Sequence, residues 1–260
     1  MGYSLVITNS GTADTITFGS GGIYLEKMSY NTAPANNAFW KSPYQDGSSF
    51  IGSLYDELEI TLQGTIVAGT EAALYAARRT FQKILYKGNA PFILTQNSRA
   101  IKAYPASVDF PKHEGPLQQL FLVSMIAPNP FWYNPTVNDE EVTEGTPKVC
   151  ANAGDVETPV TIVIDGPCKD PIITNTTTGE AINVIGSVGS GETLTITTGF
   201  GEKTIVHDTG AVETNWMPNL DSTNKDFIWL AKGNNSITIA DDSVNTVVAT
   251  IYWYDRFLGV

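Results

Sequence analysis

Apolar and polar side chains alternate from Leu58 to Ile66. Leu58, Ile60, Leu62 and Ile66 share one parity, and Glu59, Thr61, Gln63 and Thr65 the other. A period of two over this length predicts a strand with one buried face. Apolar runs at residues 23–28, 92–95, 106–110 and 120–126 predict further strands in the first half. Residues 160–164, 181–185, 193–197, 204–206, 227–230, 236–240 and 246–254 do so in the second. Gly166-Pro167, Thr178-Gly179, Gly210 and Gly233-Asn234-Asn235 punctuate them. Short strands at this spacing predict antiparallel sandwiches.

The pattern changes period once. Between Glu71 and Lys87, Leu74, Ala77, Phe81, Ile84 and Leu85 recur at three- and four-residue steps, which predicts an amphipathic helix. Thr70 supplies an N-cap and Glu71 suits the positive end. Lys83 and Lys87 suit the negative end, and Gly88 a left-handed stop. Arg78 and Arg79 read as a solvated face or a partner contact.

The strand at 120–126 runs into Ala127-Pro128-Asn129-Pro130-Phe131-Trp132-Tyr133-Asn134-Pro135. Proline cannot donate to a ladder and pushes its predecessor into extended geometry, so the strand must stop here. Phe131, Trp132 and Tyr133 carry apolar area that wants cover and are expected to anchor the exit from a first domain. Charge divides at the same place. Residues 1–135 hold nine acids and nine Lys/Arg, whereas 136–260 hold eighteen acids and six bases, the whole net charge of −12. We therefore expect two domains, 1–135 and 136–260, with the acidic run Asp139, Glu140, Glu141 and Glu144 as a solvated linker.

Residues 31–52, rich in Pro, Asn, Gly and Ser, read as a long loop. They also carry Phe39, Trp40, Tyr44 and Phe50, unlike a disordered linker. Two explanations stand: order supplied by a neighbouring subunit, with Phe39, Trp40 and Tyr44 as the contacts, or a loop folded over its own domain.

Candidate chemistry is sparse. A pI near 4.5 without a basic cluster argues against a dedicated nucleic-acid binder. No secretory leader is expected from Met1-Gly2-Tyr3-Ser4, and no apolar run is long enough to span a membrane. Cys150 and Cys168 could pair but are expected as free thiols, and their spacing is not that of a zinc knuckle. Neither His113 nor His207 accompanies a nucleophile motif. Adjacent strand residues face opposite ways, so His207 and Asp208 should not orient each other. The glycine runs at 19–22 and 186–191 precede strands, not helices, and read as turns rather than phosphate cradles. Asn175-Thr176-Thr177 and Asn234-Asn235-Ser236 match the glycosylation acceptor pattern. No cofactor and no metal is expected.

The order of these features resembles a known family. Ile23-Tyr24-Leu25-Glu26-Lys27-Met28, a Pro/Gly stretch with Asp46-Gly47, the strand ending Leu62-Gln63-Gly64-Thr65-Ile66, one helix with Arg78-Arg79 and then Pro130-Phe131-Trp132-Tyr133 follow one another as in the distal tail protein (Dit) of phages with long non-contractile tails. In the second half, Gly191-Glu192-Thr193-Leu194-Thr195-Ile196, Leu230-Ala231-Lys232-Gly233-Asn234-Asn235-Ser236-Ile237 and the ending Tyr254-Asp255-Arg256-Phe257 also fit. The large insertion of longer, sugar-binding relatives is missing.

The resemblance implies a mainly β chain of two domains. The first would be a β-sandwich-like, ring-forming domain with one α-helix, and the second a galectin-like or carbohydrate-module-like antiparallel β-sandwich. It implies a homohexameric, non-enzymatic hub at the tail tip of the virion, assembled in the host cytoplasm. The implied partners are the tail tube protein, a tail-tip or tail-associated lysin protein, and receptor-binding or baseplate proteins. DNA would pass through its channel without specific binding, and no membrane is involved. Two other classes remain open. One is a carbohydrate-binding module using Trp216, Trp229, Trp253 or Tyr254, and the other is a wall-degrading enzyme.

Overall fold

The computed structural model describes residues 5–30, 32, 34–86, 88–111, 115–242 and 246–260. Lys87, His113 and the first residue of the 31–52 stretch lie outside them. The chain divides into two compact units, Met1–Tyr133 with Leu258–Val260, and Asn134–Phe257.

In the first unit, β1 (Val6–Asn9), β2 (Thr15–Thr17), β3 (Ile23–Tyr30), β6 (Leu58–Val67), β7 (Phe92–Gln96), β8 (Arg99–Asp109) and β9 (Gln118–Ala127) follow the order β2-β1-β7-β8-β9-β6-β3. A separate hairpin joins β4 (Ala35–Trp40) to β5 (Ser49–Tyr55). Strand β8 changes partner midway. Residues up to Ala103 pair with β7 and those from Tyr104 with β9. Pro105 sits at the bulge in the β8–β9 ladder, where a missing donor is tolerated.

On β6 the alternation read from the sequence holds, with Leu58, Ile60, Leu62 and Ile66 all buried. Gly64 interrupts the apolar series on that face for a steric reason. A Cβ there would run into the Tyr24 carbonyl oxygen and come within 2.5 Å of the Phe121 ring, its cross-strand partner.

The helix α1 (Glu71–Leu85) starts where the caps predicted. Thr70 is extended (φ −143°, ψ 157°), and its hydroxyl oxygen accepts from the Ala73 N–H at 3.2 Å. Leu74, Phe81 and Leu85 are its buried positions. Phe81 meets Phe121 at 4.9 Å between ring centroids, and Phe121 meets Phe18 at 6.0 Å, so helix and sheet share one aromatic core. Arg78 lies over the Phe110 ring at 4.6 Å.

The second unit is a two-sheet sandwich. One sheet runs β11 (Asn138–Thr143), β24 (Val248–Trp253), β13 (Thr158–Asp165), β18 (Thr193–Thr197), β19 (Thr204–Asp208), β20 (Glu213–Asn215), with β22 (Trp229–Leu230) paired to β13. The other runs β12 (Lys148–Asn152), β23 (Gly233–Ala240), β15 (Ile172–Asn175), β16 (Glu180–Val184), β21 (Leu220–Lys225). Small strands β14 (Cys168–Lys169) and β17 (Ser187–Val188) pair with each other. Ile162, Ile164, Ile196 and Ile251 of the first sheet meet Ile173, Ile182 and Ile237 of the second in one core.

Two sequence readings are corrected. The acidic run at 139–144 is not a linker: 138–143 form edge strand β11, with Val142 fully buried and paired to Ala249. Charges on an edge strand cost little because they face water, and they discourage further strand addition. Likewise residues 31–52 are not a long loop, since most of them belong to the β4–β5 hairpin. Its apolar residues lie on the outside, so composition imitated a loop. The 75–90 core-facing pattern gave no such ambiguity.

Candidate assembly surface

The hairpin carries exposed apolar area in quantity. All six residues of β4 are exposed, and so are all of β5 except Gly52. Phe39, Trp40, Phe50, Ile51 and Leu54 are each more than half exposed. Phe39 and Phe50 touch edge-to-face at 5.9 Å, which stiffens the arm without hiding it. Tyr44, in the turn, is fully exposed with a left-handed φ of +64°. Ile51, Leu54 and Tyr55 were missed from sequence, although the run Phe50-Ile51 beside Leu54-Tyr55 carried a strand-like signal.

The exit segment braces the feet of this arm. β10 (Trp132–Tyr133) pairs with β8 through Tyr133 and Ala100. Trp132 is completely buried, and its ring lies 5.6 Å from Tyr30, the last residue before the arm's first stem. Phe131 is half-buried and meets Tyr55, the last residue of β5, edge-to-face at 5.3 Å. The aromatics on either side of the arm therefore rest on consecutive residues of the exit. The Trp132 indole N–H is buried and has no acceptor among the described residues.

The second unit's ionisable groups are committed to structure. His207 is buried, with Nε2 2.8 Å from Glu192 Oε2 and its ring 4.1 Å from Trp216. Asp208 does not face His207's partners; its Oδ1 accepts from the Gly210 N–H at 2.7 Å. The Gly189 N–H and then His207 hold the Glu192 carboxyl below its ordinary range. Cys150 and Cys168 are free, buried thiols, and burial pushes them up to about 12 and about 11. No group of three or more His, Cys, Asp or Glu placed to hold a metal occurs among the described residues.

Of the aromatics considered for sugar binding, Trp253 is core and Trp216 and Trp229 are half-buried, while Tyr254 is exposed. Arg256 lies over Trp229 at 5.5 Å. Asn175, read as a glycosylation acceptor, is fully buried. No helix is long and apolar enough to cross a membrane.

Residues 16–127 match the phage tail protein RIFT-related domain, and residues 153–257 match the C-terminal domain of the siphovirus-type tail component. Among curated protein sequences none matches. Three solved structures share the fold. The SPP1 Dit (gp 19.1) protein, described as a paradigm of hub adsorption apparatus in Gram-positive infecting phages, has a TM-score of 0.76 at 13% identity, covering 97% of this chain and 99% of that one. A chain of the phage P2 baseplate in its activated conformation with Ca has a TM-score of 0.56 at 14% identity, covering 96% and 98%. One from the same baseplate with Sr has 0.53 at 14%, covering 95% and 97%. With both units matched in order and an exposed arm where a tail component needs contacts, the chain belongs to the siphovirus-type tail component family of distal tail proteins.

Proposed function

We propose that six copies of this chain form a ring at the tail tip, joining the tail tube to tip, baseplate or receptor-binding proteins and leaving a channel for DNA. The observation that carries this reading is the β4–β5 arm. It exposes Phe39, Trp40 and Phe50 on a braced hairpin, and interface cores favour such residues. The first unit supplies the ring contacts. The acidic second unit is left to hold other tip proteins, and the near-neutral first unit passes DNA without gripping its phosphates.

The reading assigns no chemical step to the chain, in keeping with a His207 whose Nε2 is spent on Glu192. Sugar binding through the second unit has weaker support, because Trp253 lies in the core and Trp229 under Arg256. Native mass spectrometry with electron microscopy tests the ring. Six copies of a 28.1 kDa chain give a species of about 169 kDa with a central hole. Closed assemblies of another size, or none in the presence of tail tubes, would refute it.

A further inference from the structure

The two ends of the β4–β5 arm are chemically complementary. At its base, the Asp56 N–H donates to the Pro34 carbonyl at 2.9 Å and closes the stems. Beside this closure lies a groove of about 670 Å³ lined by apolar Leu58, Ala106 and Ile126 and by the carboxylates Asp56, Glu57 and Glu59. At its far end, the turn carries Lys41, the only Lys or Arg between residues 34 and 57, directly after Phe39 and Trp40. One end thus offers apolar surface with a cation, and the other apolar surface with carboxylates.

These ends cannot meet within one chain. Strands of six and seven residues hold the turn roughly 20 Å from the base. Satisfying both ends therefore takes a second copy, and the contact is head-to-tail, the kind that closes into rings. Resting on the ring reading above, we infer that the arm tip of one copy seats in the base groove of the next. Phe39 and Trp40 cover Ile126 and Ala106, and Lys41 meets Glu57 and Glu59.

The test uses the full chain, mixed from ¹⁵N-labelled and unlabelled copies and treated with a zero-length carbodiimide cross-linker. Lys41 joined to Glu57 or Glu59 in mixed-isotope peptide pairs is the expected result. Lys41→Glu and Glu57→Lys, both at exposed positions, should each raise the concentration for half-assembly by roughly tenfold, since each sets like charges together. The double swap should recover most of the loss. If rings persist while both single variants assemble like the parent, or Lys41 links only to other carboxylates, this docking is wrong and the ring reading stands. A chain monomeric up to its solubility limit, with or without tail tubes, overturns both.

Discussion

Asn175 donates from Nδ2 to Asn235 Oδ1 at 3.2 Å, and both side chains are fully buried. The pair ties β15 to the turn before β23. Asn235 Oδ1 also accepts from the Ala231 N–H at 2.9 Å, while Asn175 Nδ2 donates to the Trp229 carbonyl at 2.9 Å. A third buried amide, Asn152, donates to the Val156 and Leu230 carbonyls at 2.8 and 3.2 Å. Residues 229–231 are thus held by side-chain amides instead of a long ladder.

Asn235→Ala should therefore destabilise the second unit by about 2–4 kcal/mol, because the Ala231 N–H and Asn175 Nδ2 lose an acceptor out of reach of water. Chemical denaturation followed by tryptophan fluorescence measures it. A loss no larger than that of a surface Asn→Ala would contradict the network.

Trp132→Ala should cost about 3–5 kcal/mol in the first unit, the usual penalty for deleting a large buried ring. Trp132→Phe should cost far less, since the indole N–H has no acceptor to lose. Amide exchange in the β4–β5 arm should rise in the alanine variant, because Trp132 supports Tyr30 at the arm's first foot. Unchanged exchange would separate the exit segment from the arm.

Gly64→Ala should destabilise the first unit by about 1–3 kcal/mol or more, since the methyl meets backbone oxygen as well as the Phe121 ring. Combining it with Phe121→Leu should recover only the ring's share. Thermal unfolding of the two variants resolves this.

Glu192 gives a pH signature of definite sign. Its folded pKa lies below the ordinary 4.5, so its contribution to stability is full above that value and is lost as the pH falls through the lower folded one. Replacing it by Gln should flatten the acid limb of the stability curve in that window and leave neutral behaviour less affected. At the other extreme, Cys150 and Cys168, held near 12 and 11, should resist thiol reagents at pH 8 until the second unit unfolds. Fast labelling of native protein would show the burial to be wrong.

Elements whose pattern faces a core were legible. Strand β6 and helix α1 announced themselves through Leu58 to Ile66 and Thr70 to Leu85, because burial imposes periodicity on the residue types. Elements that answer to something else were not. β4 and β5 put their apolar residues outside, and β11 displays acids on a sheet edge, so each resembled a loop or linker. The acceptor pattern at Asn175 describes a tripeptide, whereas its burial depends on Trp229 and Asn235, more than fifty residues away. Phe39, Trp40 and Tyr44 were singled out by type alone. The carboxylates at the arm's base became apparent only when the closure of Pro34 on Asp56 set them beside Ile126.

The acidic edge of β11 matters most when copies crowd. Any assembly that gathers several chains raises the local concentration of their open strand edges to the millimolar range, where a sandwich could borrow its neighbour's strand and fuse two sheets into one. Asp139, Glu140 and Glu141 sit along one such border and Glu213 begins the strand at the other, so like charge meets like charge at each approach. The repulsion reaches only about 8 Å at physiological salt. That range suffices to keep each sandwich a separate, replaceable module while the rest of the molecule is free to associate.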